Sequence, residues 1–202
     1  MANLHLITGY KGEAHIKAAD NGALNAAILG SGAYVLDMGS KFAATVMTNN
    51  SIRIADGDGM IQGRHFRLDG GYVDLTIENG ASGYVRNDLI VARYTKDANT
   101  GVEDCNLVVI KGTAVASGAV DPAYTSGDIL GGNATQADFP LYRVPINGLN
   151  VQELVPLFDV LDLAKMLENM LAYGATVLSA NQYGDTLPQP GIPGRIFYKK
   201  RS

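Results

Sequence analysis

The chain has 202 residues, 47% of them hydrophobic and 18% charged, with a formal net charge of −4 and a pI near 5.3. That composition specifies a folded core, in one large or two small domains, and gives no electrostatic ground for binding nucleic acid. Cys105 is the single cysteine, which excludes an intrachain disulfide and a cysteine-rich zinc site.

The N-terminal run Leu4-His5-Leu6-Ile7 lacks the basic start and long apolar stretch of a secretory signal. Nothing along the chain approaches the ~20 apolar residues that cross a bilayer. The expectation is a soluble protein made in the cytosol, with no membrane insertion. After a turn at Thr8-Gly9-Tyr10-Lys11-Gly12, the sequence predicts a short helix from Asp20 to Leu29. Asp20 is its expected N-cap and Gly30 its stop, with Leu24, Ala27 and Ile28 on one docking face. From Tyr34 to Ile77 the apolar period falls to two. Ser51 to Asp56 reads as a strand, Asp56-Gly57-Asp58-Gly59 as a turn, and Met60 to Leu68 as the next strand. Asp69-Gly70-Gly71 closes that strand, and Tyr72 to Ile77 follows.

Residues 84–150 continue as sheet. Leu89–Tyr94 and Leu107–Ile110 are near-continuous apolar runs, expected as central strands joined through Asp97-Ala98-Asn99-Thr100-Gly101. Thr113 to Asp138, rich in Gly, Ala, Ser, Thr and Asp, reads as a long surface loop, and Cys105, beside the apolar strand Leu107–Ile110, as a small packed hydrophobe. A second helix is predicted over Asp159–Tyr173. Its apolar stripe is Val160, Leu163, Leu167, Met170 and Leu171, with Asp162, Lys165, Glu168 and Asn169 mainly opposite and Gly174 as its end. About two heptads are too few for an independent coiled coil, so the stripe is the candidate oligomer interface. A proline-rich turn from Thr186 to Gly194 then precedes a final strand, Arg195-Ile196-Phe197-Tyr198, and a solvated basic end, Lys199-Lys200-Arg201. The expected fold is mainly β (α+β): antiparallel sandwich or barrel-like sheets with a short N-terminal and an amphipathic C-terminal helix. The expected domains are 1–158, β-rich and divisible near 1–80 and 84–158, and 159–202, an oligomerisation element.

Catalytic chemistry finds little purchase. His5, His15 and His65 make no helical metal pair. The Asp56–Gly59 run fails as a calcium loop, because Met60, Ile61 and Arg67 stand where an oxygen ligand, a glycine and a glutamate are needed. Gly30-Ser31-Gly32 lacks the rest of a phosphate or dinucleotide fingerprint, and no nucleophile elbow occurs. Glu103 and Asp104 are adjacent and point to opposite faces of a strand, which leaves only a sequence-distant carboxylate pair as a hydrolase centre. No catalytic, cofactor or metal residue is assigned, and no enzyme activity is expected. The one constellation of interest is Arg64-His65-Phe66-Arg67. Alternation puts Arg64 and Phe66 on one face and His65 and Arg67 on the other, a candidate contact for an anionic sugar or phosphate.

Several stretches carry a family resemblance. Ile54 to Arg64, ending Gly63-Arg64, resembles the strand, glycine turn and strand that precede the main sheet in bacteriophage tail proteins. Arg86-Asn87-Asp88-Leu89-Ile90-Val91-Ala92-Arg93 is similar to their recurring strand. Tyr142 to Leu149 with Leu154-Val155-Pro156-Leu157-Phe158 resembles their closing strand and connection. Gly184 to Pro188 with Gly191 and Gly194-Arg195-Ile196-Phe197 is similar to the ends of prophage tail and baseplate proteins of Gram-positive gut bacteria, including baseplate upper proteins and short tail fibres. The resemblance implies a virion structural protein, non-enzymatic and without cofactor, that acts as a homo-oligomer, frequently a trimer, beside other tail or baseplate proteins. The alternative is a receptor-binding module for host-surface glycan, using Arg64, His65, Arg67, the loop from Ala119 to Ala137, and Tyr72, Tyr84, Tyr94 or Tyr124. A cell-wall polysaccharide hydrolase is the third.

Overall fold

The computed structural model describes Ile7 and residues 16–180, the side chains of 173–180 excepted. Expectations for residues 1–6, His15, the turn at Thr8–Gly12, the proline-rich turn, the final strand and the basic end lie outside the described residues. The chain divides into two compact units, Met1–Leu161 and Asp162–Ser202.

The first unit opens with α1, Ala18–Leu29. It starts two residues ahead of the expected helix, so Asp20 is not the N-cap. Asp20 instead sits inside the first turn and accepts the Lys17 N–H at 3.3 Å, a place where a carboxylate also complements the helix dipole. Gly30, at φ 93°, ends the helix as expected and donates to the Ala26 carbonyl. The docking face is the reverse of the one expected. Leu24 and Ile28 are 55% and 67% exposed, while Gly22 is buried and Asn25 donates to the Gly63 carbonyl at 3.0 Å. The neighbour is a hairpin backbone and the Arg64 guanidinium, so the helix approaches through its small and polar side; a Cβ on Gly22 would collide with Arg64.

Among the described residues ten strands follow, and the structure is mostly β in two curled, mainly antiparallel sheets that share a core. In the first sheet β3 (Ser51–Ile61) is the spine. Its opening half pairs with β2 (Ala44–Thr48), its closing half with β1 (Ala33–Leu36), and its other side with β4 (Arg64–Thr76). In the second sheet β5 (Val85–Lys96) runs between β6 (Glu103–Ile110) and β7 (Gln136–Asn147). Short strands β8 (Asn150–Val151) and β9 (Val155–Pro156) flank β7. The chain then returns to the first sheet as β10 (Val160–Leu161), parallel to β1. Val35, Phe42, Ile52, Ile54 and Ile77 from the first half pack with Ile90, Phe139, Leu141 and Val144 from the second. Leu89–Tyr94 is central as expected. Leu107–Ile110 is not: it belongs to the edge strand β6, from which Leu107 and Val109 pack against the shared core.

Asp56-Gly57-Asp58-Gly59 is not a turn but the middle of β3. Its glycines make room for rings, since a Cβ on Gly57 would come within 2.6 Å of the Phe42 nitrogen and one on Gly59 would strike the Phe66 ring. The turn lies at Gln62-Gly63, at φ 46° and 78°, the positive-φ pair of a two-residue hairpin, so Met60 to Leu68 is not one strand. Nor does Asp69-Gly70-Gly71 end β4. Ala55 faces Tyr72 and Gly57 faces Leu68, so these residues bulge from a strand that continues, with Gly70 and Gly71 at φ 79° and 106°.

Two prolines sit within β7, where a ladder tolerates few. The bonds Lys96 N–H to Thr135 and Gly148 N–H to Tyr84 set the phase of the β5–β7 ladder. By alternation, Pro140 and Pro145 turn their donor-less nitrogens away from β5.

The second unit contains α2, Leu163–Ala180, whose first turn is capped by Asp162 accepting the Lys165 N–H at 2.8 Å. The helix starts later than expected because Val160 is held in β10, and it runs through Gly174 instead of ending there. Among the described residues no helix is long and apolar enough to cross a membrane.

Candidate functional site

The hairpin turn at Gln62-Gly63 fixes the register of Arg64-His65-Phe66-Arg67 against β3, with Asp58 opposite Arg67 and Met60 opposite His65. Arg64 and Phe66 share one face, and His65 and Arg67 the other, as alternation requires. The guanidinium of Arg64 forms a two-pronged bond to Glu103 on β6, Nε to Oε2 at 2.7 Å and Nη2 to Oε1 at 3.0 Å. Asp58 is 5% exposed and meets both side chains of the other face on Oδ1, His65 Nε2 at 2.7 Å and Arg67 Nε at 2.8 Å. Burial alone would raise the Asp58 carboxyl; the bonds from Arg67 and His65 outweigh it and hold the group below the usual carboxylate range. Arg64 likewise lowers Glu103.

Beside these pairs opens a cleft of about 300 Å³, at the edge where β4 approaches β6. Arg64, His65 and Arg67 line it with Glu103, Asp104 and the ring of Phe66. A second, more apolar hollow of about 230 Å³ lies between Phe66, Leu68, Val73 and Leu107. Cys105 borders both, and burial, with the charge of Asp104, pushes its thiol up to about 12. It therefore stays protonated at neutral pH and packs as a small hydrophobe. Among the described residues no three His, Cys, Asp or Glu side chains gather as a metal site.

Of the tyrosines proposed as stacking faces, Tyr94 is buried, while Tyr72, Tyr84 and Tyr124 are about half exposed. Tyr72 already carries the Arg53 guanidinium 3.5 Å from its ring centre. The loop from Ala119 is tied down rather than free. Arg143 grips Asp121 with two bonds of 2.6 Å, and Asp138 takes Arg93 and the Thr125 N–H.

Of the expected oligomer stripe, Leu163, Leu167, Met170 and Leu171 lie on α2 and are 49%, 57%, 69% and 65% exposed; Val160 lies apart, on β10. Met166, which the stripe omitted, joins it at 52% exposure, and its place three residues after Leu163 and four before Met170 was the available signal. Asp58 was also passed over as a site residue, because a turn was assigned to it. With the turn at Gln62-Gly63, simple counting places it across from Arg67. Glu103 had no such signal, since nothing local brings β6 to β4. No protein-family model matches the chain, and no curated protein matches it.

Proposed function

We propose that this chain is a non-enzymatic structural component of a phage or prophage tail or baseplate and that it works by assembling with copies of itself, as a trimer. The observation that carries the reading is the apolar face of α2. Leu163, Met166, Leu167, Met170 and Leu171 stand in solvent along consecutive turns of one helix. An amphipathic helix draws most of its stability from packing its apolar face, and knobs-into-holes packing against identical helices covers that face with a matching pattern. In the β unit Arg53, Arg64, Arg86, Arg93 and Arg143 are each paired to a carboxylate, cross-links that suit a part that bears load. The resemblance of the strand and turn segments to tail and baseplate proteins supplies the setting, a virion built in a bacterial host.

Light scattering coupled to gel filtration tests this. The expected mass is three times the 21.4 kDa of one chain. Leu163→Asp with Leu167→Asp should return the species to one chain mass while the β spectrum by circular dichroism is unchanged. A strict monomer at high concentration removes self-assembly as the function.

A further inference from the structure

We propose that the cleft beside the β3–β4 hairpin turn is a binding site for a neutral saccharide, held through its hydroxyl groups. This goes beyond self-assembly and does not depend on α2. The anionic ligand suggested by Arg64, His65 and Arg67 in sequence loses its basis once their partners are placed. Arg64 is spent on Glu103, and Arg67 and His65 share Asp58. Two arginines and the carboxylates of Glu103 and Asp104 line the cleft, and Asp58, paired to Arg67, brings the formal charge of the cluster to −1 with histidine neutral. Of these cations only the Nη groups of Arg67 are left to an incoming anion, and Glu103 and Asp104 in the same cleft repel it.

A hydroxyl group has the opposite requirement, a donor and an acceptor within reach at once. Among the described residues Arg67 uses Nε on Asp58 and leaves its Nη groups unbonded, and His65 leaves Nδ1. Their side chains are 50% and 43% exposed, so these atoms are accessible. On the facing strand Glu103 accepts from Arg64, and Asp104 accepts the Cys105 N–H and Asn106 Nδ2, which leaves each carboxylate oxygen a further lone pair to offer. Ion pairing fixes the directions of Arg64, Arg67 and Glu103 before any ligand arrives, which lowers the entropy lost on binding. Phe66 adds an apolar wall for the C–H face of a sugar ring, itself held by Phe42 and Phe139 with ring centres 5.7 and 6.4 Å away. The volume is near the lower end of the ~300–1,000 Å³ typical of ligand pockets, room for a mono- or disaccharide.

The test titrates the ¹⁵N-labelled full chain with lactose, cellobiose and diacetylchitobiose, and separately with sodium sulfate. At least one sugar should shift the amides of residues 64–67 and 103–105, saturating in the millimolar range, with sulfate silent there. Arg67→Gln and, independently, Asp104→Ala should each weaken that sugar roughly tenfold, the loss of one charge-assisted hydrogen bond. The second variant alters an exposed side chain and keeps the result readable should the first disturb the hairpin. Shifts with sulfate alone would make this an anion site and overturn the proposal. So would silence toward all three sugars up to about 50 mM, where even a very weak site shows, or unchanged affinity in both variants.

Discussion

Arg86 and Asp88 share one face of β5 and are 5% and 0% exposed. Arg86 reaches Asp88 through Nε and Nη2 at 2.8 and 3.0 Å, and its Nη2 also donates to the Glu78 carbonyl at 2.7 Å. Asp88 Oδ1 accepts the Gly112 N–H at 2.8 Å as well, so the pair ties both ends of the neighbouring loops to the central strand. A buried pair adds little net stability over apolar residues, yet removing one member strands the other charge. Arg86→Ala should therefore lower unfolding free energy by about 3–5 kcal/mol, read from urea denaturation. Replacing both, as Arg86→Met with Asp88→Leu, should recover much of that loss. A single variant with the midpoint of the native chain would mean that the pair is not desolvated. The i, i+2 spacing of the two residues was visible in sequence; their burial was not, because it depends on Glu78, Asn79 and Gly112 from the adjoining loops meeting the pair.

At the scale of elements, the β3–β4 hairpin organises its surroundings through one turn. Gln62 donates from Nε2 to the Gly127 carbonyl at 2.6 Å and accepts the Ile129 N–H on Oε1 at 2.8 Å. It thereby pins the loop between β6 and β7, while Gly63 receives α1. Gln62→Asn separates these roles, since asparagine tolerates the positive φ yet is one carbon too short to reach the loop. The expected result is a loss of about 1–3 kcal/mol and faster amide exchange at Ile129 and Leu130, with α1 unchanged. Slow exchange at those amides would show that the loop is held otherwise. Sequence reading preferred Asp56–Gly59 as the turn because Asp-Gly is the stronger local signal. The rings of Phe42 and Phe66 overrule it, and rings that arrive from elsewhere in the chain leave no local trace.

Across the whole molecule, carboxylates paired to arginine set the acid limit of the β unit. Asp58, Glu103, Asp121 and Asp138 all titrate below their ordinary values. For Asp58 and Asp138 burial opposes the shift and the hydrogen bonds exceed it; for Glu103 and Asp121 the arginine bond leads. A lowered folded pKa means that the unfolded chain binds more protons below about pH 4, near the ordinary carboxylate values. Stability from these groups is complete above that range and is lost as pH falls through the folded values. The urea midpoint should hold level from about pH 5 to 8 and decline steadily below about 4. Asp138→Asn should shrink that decline, and a midpoint constant down to about pH 2.5, well over one unit under the ordinary carboxylate values, would contradict the assignment.

The sequence by itself determined the β class, the two helices, the central placement of Leu89–Tyr94 and the side-chain alternation of Arg64 to Arg67. These follow from hydrophobic period and strand geometry, which act over a few residues. It also carried the glycine stop of α1 and the apolar face of α2, though not that helix's ends, because Val160 pairs with Val35 from far along the chain. Tertiary structure decided which glycines turn and which make room, which side of α1 docks, that Leu107–Ile110 lies at an edge, and which carboxylate meets each arginine. All four depend on contacts between distant segments, where close packing and the need to pair every buried charge override local propensity.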